Sequence, residues 1–208
     1  MTVRTITLIA LIAVLASCTG APDAGGGGTD WVLRAECSSL SFTTSKTVVT
    51  GEQLTSLVEV GRFGGLSSSF SEGDDAVELE VDLGSIDTGV PVRDQRVGEM
   101  LFLGEAKARV SVQVSEQLRR AAAGGSAAQR LTLPLELKLG PASLRLEALV
   151  SVVRGSDTLA LATLEPVPVS VRALDGMAGL EALREVVGLG SIAEAIPVSA
   201  QLCYARAD

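Results

Sequence analysis

The chain has 208 residues, which is enough for one domain with a sizeable core and a preceding targeting segment. Apolar residues make up 47% of the chain but aromatic residues only 3%, so the core must be largely aliphatic. The chain contains no histidine, which removes imidazole bases and most zinc sites, and acidic residues outnumber basic ones by 25 to 17, which argues against nucleic-acid binding and a polybasic membrane surface.

The N-terminal residues predict export and lipidation. Arg4 precedes an apolar run over residues 6–15 that is too short to span a membrane but suits a signal peptide. The sequence L-A-S-C at residues 15–18 resembles a bacterial lipobox, in which small residues precede the cut and the Cys18 thiol accepts the lipid. We interpret residues 1–17 as a lipoprotein signal peptide. The alternative is an ordinary secretory signal that happens to end at a cysteine.

A flexible tether is predicted between the lipid and the folded domain. Residues 18–30 include four consecutive glycines with alanine, proline and aspartate around them. Thr19, rather than aspartate, follows the cysteine, and by resemblance to sorted lipoproteins this indicates the periplasmic face of the outer membrane. Each buried methylene of a lipid contributes about 0.8 kcal/mol, so a multiply acylated cysteine would be a firm membrane anchor. The folded domain is predicted over residues 31–208.

Alternating segments predict an all-β fold. Val77 to Leu83 alternate apolar with acidic residues, and leucines occupy every second position from Leu131 to Leu139. Eight antiparallel strands with short turns fit a closed barrel, because closure removes exposed edges. Such a barrel is either filled by side chains or holds one small ligand. The predicted strands are residues 31–43, 54–70 with a corner at Gly64-Gly65, 77–85, 106–116, 131–139, 144–154, 158–171 and 196–204.

Two short helical inserts interrupt the predicted strands. Pro91 suits the first turn of a helix because it has no N–H to lose there. Asp175 is predicted to cap a second helix that has one apolar stripe, formed by Met177, Leu180, Leu183 and Val187. The small residues at 121–128 are predicted to form a loop.

Cys37 and Cys203 are predicted to form a disulfide. Two cysteines in an oxidising compartment usually pair. The alternating apolar residues of the first and last strands place both thiols on the outer face of the barrel, and closure sets these two strands side by side. Two free thiols are the alternative.

The segment from Ser85 to Phe102 resembles a known family. It reads S-I-D-T-G-V-P-V-R-D-Q-R-V-G-E-M-L-F, and a strand that ends in S-I-D-T-G before R-D and an aliphatic helix is similar to the YceI-like family of bacterial periplasmic proteins. Residues 38–42 and 61–63 resemble the family's first two strands, and the resemblance extends over roughly residues 31–205. Gln95 stands where the family has a histidine, and M-L-F-L-G ends the helix in place of the family's phenylalanine-aspartate signature.

The resemblance implies a lipocalin-like barrel with an elongated apolar cavity. Its ligand would be a polyisoprenoid or an isoprenoid quinone, which the protein sequesters or transports without catalysis and without another cofactor or a metal. Lack of histidine also excludes Ser-His-Asp and Cys-His catalytic arrangements. A homodimer is among the assemblies left open. The alternative function is a structural or interaction lipoprotein with a filled barrel that acts through its surface.

Candidate ligand contacts come from the central charges and from inward-facing residues. Arg93 and Asp94 either meet a polar head group at the cavity mouth or pair with each other and fix the helix on the barrel. The inward-facing candidates either line a lipid cavity or form an ordinary core. They are Phe42, Phe63, Phe70, Met100, Phe102 and Leu135.

The first prediction concerns the anchor. Cys18→Ala removes the thiol that would accept the lipid, so we expect the protein to leave the membrane fraction or to remain unprocessed. Metabolic labelling with a fatty acid measures this directly. Label of equal intensity in the variant and the natural protein would contradict the lipobox interpretation.

Overall fold

The computed structural model describes residues 30–125 and 127–207. The predicted signal peptide, the Cys18 lipid site and residues 18–29 of the predicted tether lie outside the described residues. Among the helices that are described, none has both the length and the apolar character needed to cross a membrane.

The described chain forms one antiparallel sheet in which eight long strands are joined by six strands of two to four residues. The long strands are β1 (Ser39–Thr50), β2 (Gln53–Phe63), β3 (Ala76–Asp82), β4 (Lys107–Gln113), β5 (Gln129–Leu139), β6 (Ala142–Arg154), β7 (Thr158–Thr163) and β8 (Ala195–Arg206). The short strands are Asp30–Leu33, Leu66–Ser67, Ser69–Ser71, Ile86–Asp87, Val167–Ser170 and Leu189–Ile192.

The long strands follow one another around the sheet. Strands β3 to β8 form an up-and-down meander, β8 pairs with β1, and β1 pairs with β2. In the β8–β1 ladder Val198 lies opposite Phe42, so the last strand adjoins the first. The sheet therefore curls into an eight-stranded lipocalin-like barrel, which confirms the predicted fold class.

The wall has one interruption, which we call the seam, between β2 and β3. These strands are neighbours around the barrel, but in the described chain they share no ladder. The chain turns at Gly64-Gly65, as predicted, and Leu66–Ser67 then pairs with β3. Ile86–Asp87 pairs with β2 only at Arg62 and Phe63, so the rest of β2 has a strand partner on one side alone.

One end of the barrel, the packed end, is filled by side chains. Trp31 and Val152 are each 1% exposed there, and the Arg154 guanidinium lies 4.3 Å from the centre of the Trp31 ring. The Tyr204 hydroxyl donates a hydrogen bond to Ser68 Oγ at 3.2 Å, and burial raises the pKa of Tyr204. Leu118 from a helix packs against the same core.

Three α-helices interrupt the described strands: α1 (Pro91–Arg96), which continues as a π-helical turn over Val97–Leu101, α2 (Glu116–Ala123) and α3 (Met177–Val186). Pro91 occupies the first turn of α1, as predicted.

Two local predictions about the helices were wrong. Residues 121–123 belong to α2 rather than to a loop, because alanine is the strongest helix former and Ser115 Oγ accepts a hydrogen bond from the Leu118 N–H at 3.1 Å. Asp175 does not cap α3. It adopts a left-handed conformation with φ of 57° at the end of a 3-10 turn, and Gly176 precedes the helix.

The predicted disulfide between Cys37 and Cys203 is confirmed, with Cα atoms 5.7 Å apart. Cys37 lies in a 3-10 turn over Ala35–Cys37 rather than within a strand. The bond joins the entry to β1 with the last long strand, and its partners are 166 residues apart in the sequence.

Removal of this bond by the double change Cys37→Ala and Cys203→Ala should lower the free energy of unfolding by about 5 kcal/mol, because the cross-link constrains a very long loop in the unfolded chain. Denaturant unfolding of the variant against the oxidised protein measures the difference. Two alkylatable thiols in the unreduced natural protein would contradict the bond itself.

Candidate ligand-binding cavity

The barrel encloses a cavity of about 1070 Å³. This volume is at the upper limit of about 300–1,000 Å³ that small-molecule sites usually have. Its wall consists mainly of inward-facing Val, Leu, Ile and Ala side chains from the long strands, with α1 and α3 across the end opposite the packed end. We call that opposite end the α1 end. The interior is therefore an aliphatic space of ligand size.

Burial of the β5 leucines decreases toward the α1 end, although Leu133 lines the cavity as well. Leu131 and Leu133 are only 5% and 4% exposed, and they belong to the core near the packed end. Leu135, Leu137 and Leu139 point to the same side of the same strand but are only partly buried, and they line the cavity. The same change occurs along β6 between Ala148, which is buried, and Leu146, which is not. The inner surface is thus less completely buried toward the α1 end.

Most of the predicted ligand contacts lie on this wall. The lining residues among them are Phe42, Phe63, Phe70, Arg93, Phe102 and Leu135. Two candidates, Asp94 and Met100, are not part of the wall. Contact of any of these residues with a ligand remains a prediction.

The aromatic candidates fall into two groups. The Phe63 ring lies between Phe42 and Phe102, at centroid distances of 5.5 Å and 6.2 Å. Phe70 instead contacts Trp31 at 6.3 Å and Tyr204 at 5.2 Å, at the packed end. The space between the groups is aliphatic.

The Phe42 ring is placed by a glycine on the neighbouring strand. Gly61 lies directly opposite Phe42 in the β1–β2 ladder, and a Cβ at Gly61 would overlap the ring. The ring therefore rests over the β2 backbone, where it forms part of the cavity wall.

The S-I-D-T-G segment forms a hydrogen-bonded turn that sets the direction of α1. Asp94 Oδ1 accepts hydrogen bonds from the Thr88 N–H at 3.0 Å and from Thr88 Oγ1 at 2.5 Å. The Asp87 carboxylate accepts hydrogen bonds from the Gly89 N–H at 2.8 Å and from Arg62 Nη2 at 2.7 Å. Both bonds lower the pKa of Asp87, and the bond from Gly89 is the larger cause. Gly89 has a φ of +74°, a conformation in which most side chains are strained.

Arg93 and Asp94 do not pair with each other, so that interpretation was wrong. Arg93 Nη1 lies 2.8 Å from Glu59 Oε2, and Lys46 Nζ lies 2.7 Å from Glu59 Oε1. Adjacent residues on a helix point in different directions, so Asp94 faces its own turn while Arg93 reaches across the seam to β2. The helix is nevertheless fixed on the barrel by these two separate interactions.

Lys46 and Glu59 line the cavity but were not predicted as site residues. A sequence signal for them exists. Lys46 is in step with Phe42 on β1, and Glu59 is in step with Phe63 on β2, so both occupy inward positions of strands with one apolar face. A charged residue at an inward position of a strand is itself an indication of a site.

No protein-family model and no curated protein matches the chain. Solved structures do match it. One is a polyisoprenoid-binding domain from Saccharophagus degradans implicated in plant cell wall breakdown, with 25% identity, a TM-score of 0.75, and coverage of 85% of this chain and 98% of that one.

The second solved structure is BcnA from Burkholderia cenocepacia, with 14% identity, a TM-score of 0.54, and coverage of 82% of this chain and 98% of that chain. At that identity the match shows the fold alone. Both similarities extend over nearly the whole of the matched structures. The chain shares the fold of these structures and resembles the YceI-like family. The S-I-D-T-G turn, the R-D pair on α1 and the barrel are the elements that the YceI-like resemblance requires.

The α1 end of the barrel is covered by a close helix contact. Leu180 and Leu183 of α3 line the cavity, and Gly179 lies so near the π-helical turn that a Cβ there would overlap the Met100 carbonyl. Met100 thus takes part in the cover through its backbone rather than as a cavity-lining side chain.

Gly179→Val should lower the free energy of unfolding by about 1–3 kcal/mol, because the added side chain cannot fit without moving α3. Ala178→Val is the matched control, since Ala178 is exposed on the same helix and its substitution should change stability by no more than about 0.5 kcal/mol. Thermal and denaturant unfolding measure both. Equal losses in the two variants would contradict the contact.

Proposed function

We propose that this protein is a lipid-anchored protein of the bacterial envelope that binds a long apolar ligand, a polyisoprenoid or an isoprenoid quinone, inside its barrel. Its role is sequestration or transport rather than catalysis. The observation that carries this proposal is the row of partly buried leucines on β5, which line a large aliphatic space.

The physical argument is one of apolar area. Removal of apolar surface from water contributes about 25 cal/mol per Å². A ligand chain that fills the cavity would bury its own surface and that of leucines such as Leu135, Leu137 and Leu161 together. Dry apolar cavities are known to accept apolar guests. The similarity to a polyisoprenoid-binding domain over 98% of that domain supports the same class of ligand here.

The proposed location rests on the N-terminal sequence. The L-A-S-C sequence supports lipidation of Cys18, and Thr19 after it supports sorting to the outer membrane. The disulfide between Cys37 and Cys203 supports an oxidising compartment such as the periplasm. The acidic balance of the chain remains in line with a lipid, rather than a nucleic acid, as its partner.

The alternative, an interaction module that acts through its surface, has one observation in its favour. On the outer face of β2, Leu54, Val58 and Val60 are 72%, 69% and 65% exposed, beside the edge that faces the seam. These residues offer apolar surface to a protein partner or a second copy of the chain. The cavity, however, is what a filled barrel would lack, and it favours ligand binding as the main function.

Leu135→Trp should expel the lipid and leave the barrel folded. Leu135 lies opposite Val112 and Leu146, and all three line the cavity, so the indole would occupy the ligand's space. Thr132→Trp is the matched control, because Thr132 is exposed on the outer side of the same strand. We expect a decrease in affinity of tenfold or more, about 1.4 kcal/mol or above, for Leu135→Trp alone.

The measurement is native mass spectrometry of the full chain with extraction of the bound lipid, together with thermal unfolding as a test of folding. A natural protein that neither carries nor takes up an isoprenoid would favour the surface module instead.

A further inference from the structure

The end of the β1–β2 hairpin is exposed on both of its faces. The first six residues of β2, from Gln53 to Val58, are all exposed to solvent. Successive side chains of a strand point to opposite faces, so neither face of this part of β2 is covered. Three of the six are large apolar residues, Leu54, Leu57 and Val58, with exposed fractions of 72%, 42% and 69%. The hairpin therefore offers apolar surface on both sides of one strand.

The backbone of the same segment has one open edge. Strand β2 pairs with β1 along its whole length. On the seam side, the described chain pairs with β2 only at Arg62 and Phe63, where Ile86–Asp87 lies. From Gln53 to Gly61 the seam side of β2 therefore forms no ladder within the described residues. An open edge of this kind is a template for another strand.

Strand β3, on the other side of the seam, has its edge covered. Leu66–Ser67 pairs with it, and Ser68 Oγ donates a hydrogen bond to the Glu78 carbonyl oxygen at 2.7 Å. Between the two strands that border the seam, the open edge in the described residues is thus that of β2.

The open edge carries little that would prevent pairing. Residues 53–61 read Q-L-T-S-L-V-E-V-G, without proline or lysine, and their ladder with β1 has no bulge. An inward-pointing charge can also protect an edge, and Glu59 is one. Its carboxylate, however, contacts both Arg93 and Lys46, so its charge is balanced within the barrel.

We propose that β2 pairs antiparallel with β2 of a second copy of this chain, across a two-fold axis that passes through Ser56. The two hairpins then form one four-stranded sheet, in which the two β2 strands lie in the middle and the two β1 strands outside them. A second copy is the occupant because the edge is complementary to itself in length, in apolar contacts and in charge.

The length of the open edge sets the position of the axis. The edge is open over nine residues, 53–61. At each end of the shared ladder the partner's chain leaves the strand through its two-residue turn, Gly51-Glu52, which needs two of these nine positions. Seven remain, 53–59, and Ser56 is the middle one. A longer ladder would bring the turn against Ile86–Asp87, so the open edge has the length that this pairing requires.

This register brings apolar side chains together on the outer face. Leu54 of one copy lies opposite Val58 of the other, and the two-fold axis repeats the pair. These are the two most exposed apolar side chains of the hairpin. Apolar pairs directly opposite each other stabilise a sheet, and here each pair also removes exposed apolar surface from water.

The charges near the edge fit an antiparallel pair as well. Glu52 of one copy lies diagonally across from Arg62 of the other, within reach of a long side chain. Arg62 donates to Asp87 through Nε and Nη2, so three of the five donors of its guanidinium remain. The two Glu59 residues are about 20 Å apart along this ladder, whereas a parallel pair in register would set them side by side.

The first test is disulfide trapping of the full chain, purified in detergent. Ser56→Cys sets two thiols opposite each other on the axis, where Cα atoms about 4.5–5.5 Å apart suit a disulfide. Ser45→Cys is the matched control. Ser45 is exposed on β1 opposite Val58, and its two copies are three strand spacings, at least about 14 Å, apart. We expect mild oxidation to give at least about tenfold more covalent dimer in Ser56→Cys, because pairing raises the effective thiol concentration.

The second test is reversible association, measured by sedimentation equilibrium in density-matched detergent. Val58→Lys sets a charge against the partner's Leu54 twice in each dimer, so the dissociation constant should rise about tenfold or more. Val49→Lys is the control, because Val49 is exposed on the same face but lies on β1, one strand away from the edge. It should leave the dissociation constant unchanged. Thermal unfolding verifies that both variants fold.

Three outcomes would overturn the proposal. One is a natural protein that stays monomeric at every concentration measured, and another is equal yields of covalent dimer from Ser56→Cys and Ser45→Cys. The third is an equal effect of Val58→Lys and Val49→Lys, because the apolar face rather than the strand edge would then hold the copies together. None of these outcomes depends on the ligand of the barrel, so the proposed function is tested separately.

Discussion

The seam between β2 and β3 is the constraint on which the architecture depends. A barrel wall is usually closed by backbone hydrogen bonds, but along most of β2 the ladder to β3 is missing. Glu59 supplies the central contact, because it points inward from β2 and holds Arg93 of α1 and Lys46 of β1 together. The cost of withdrawing one carboxylate from water is offset by two cations. Helix α1 is consequently held at the end of the barrel, and the polar part of the cavity is a by-product of the way the wall is completed.

The scarcity of aromatic residues determines where space remains. All six rings of the chain belong to two groups of three, one with Trp31 at the packed end and the other around Phe63. Between them the inward-facing side chains are aliphatic, and they leave a cavity of about 1070 Å³ in a barrel whose eight strands can enclose either a core or one small ligand. The interior is therefore more completely buried at one end than at the other, although residues of both ends line the cavity. No single residue creates the cavity, and single cavity-filling substitutions should be tolerated.

The fold was predictable from local sequence signals, and the interior was not. Short-range patterns predict the strands with period two and the helix that starts at Pro91. The Cys37–Cys203 bond follows from barrel closure, which places the first and last strands side by side. The leucines of β5 alternate identically from Leu131 to Leu139, yet burial changes halfway along, because it depends on what lies across the barrel. In the same way the partner of Arg93 is a strand residue 34 positions earlier, and adjacency in the sequence pointed wrongly to Asp94.

The disulfide has a mechanical consequence. Residues 1–29 precede the sheet, and Asp30–Leu33 enters it by pairing with the end of β8. A pulling force applied through those residues would first peel away this short strand, whose ladder ruptures one hydrogen bond at a time. The peeling stops at Cys37, where the covalent bond passes the load directly to Cys203 in the last long strand. The bond therefore keeps the entry to β1 attached to the last long strand even when the short strand before it has separated from the sheet.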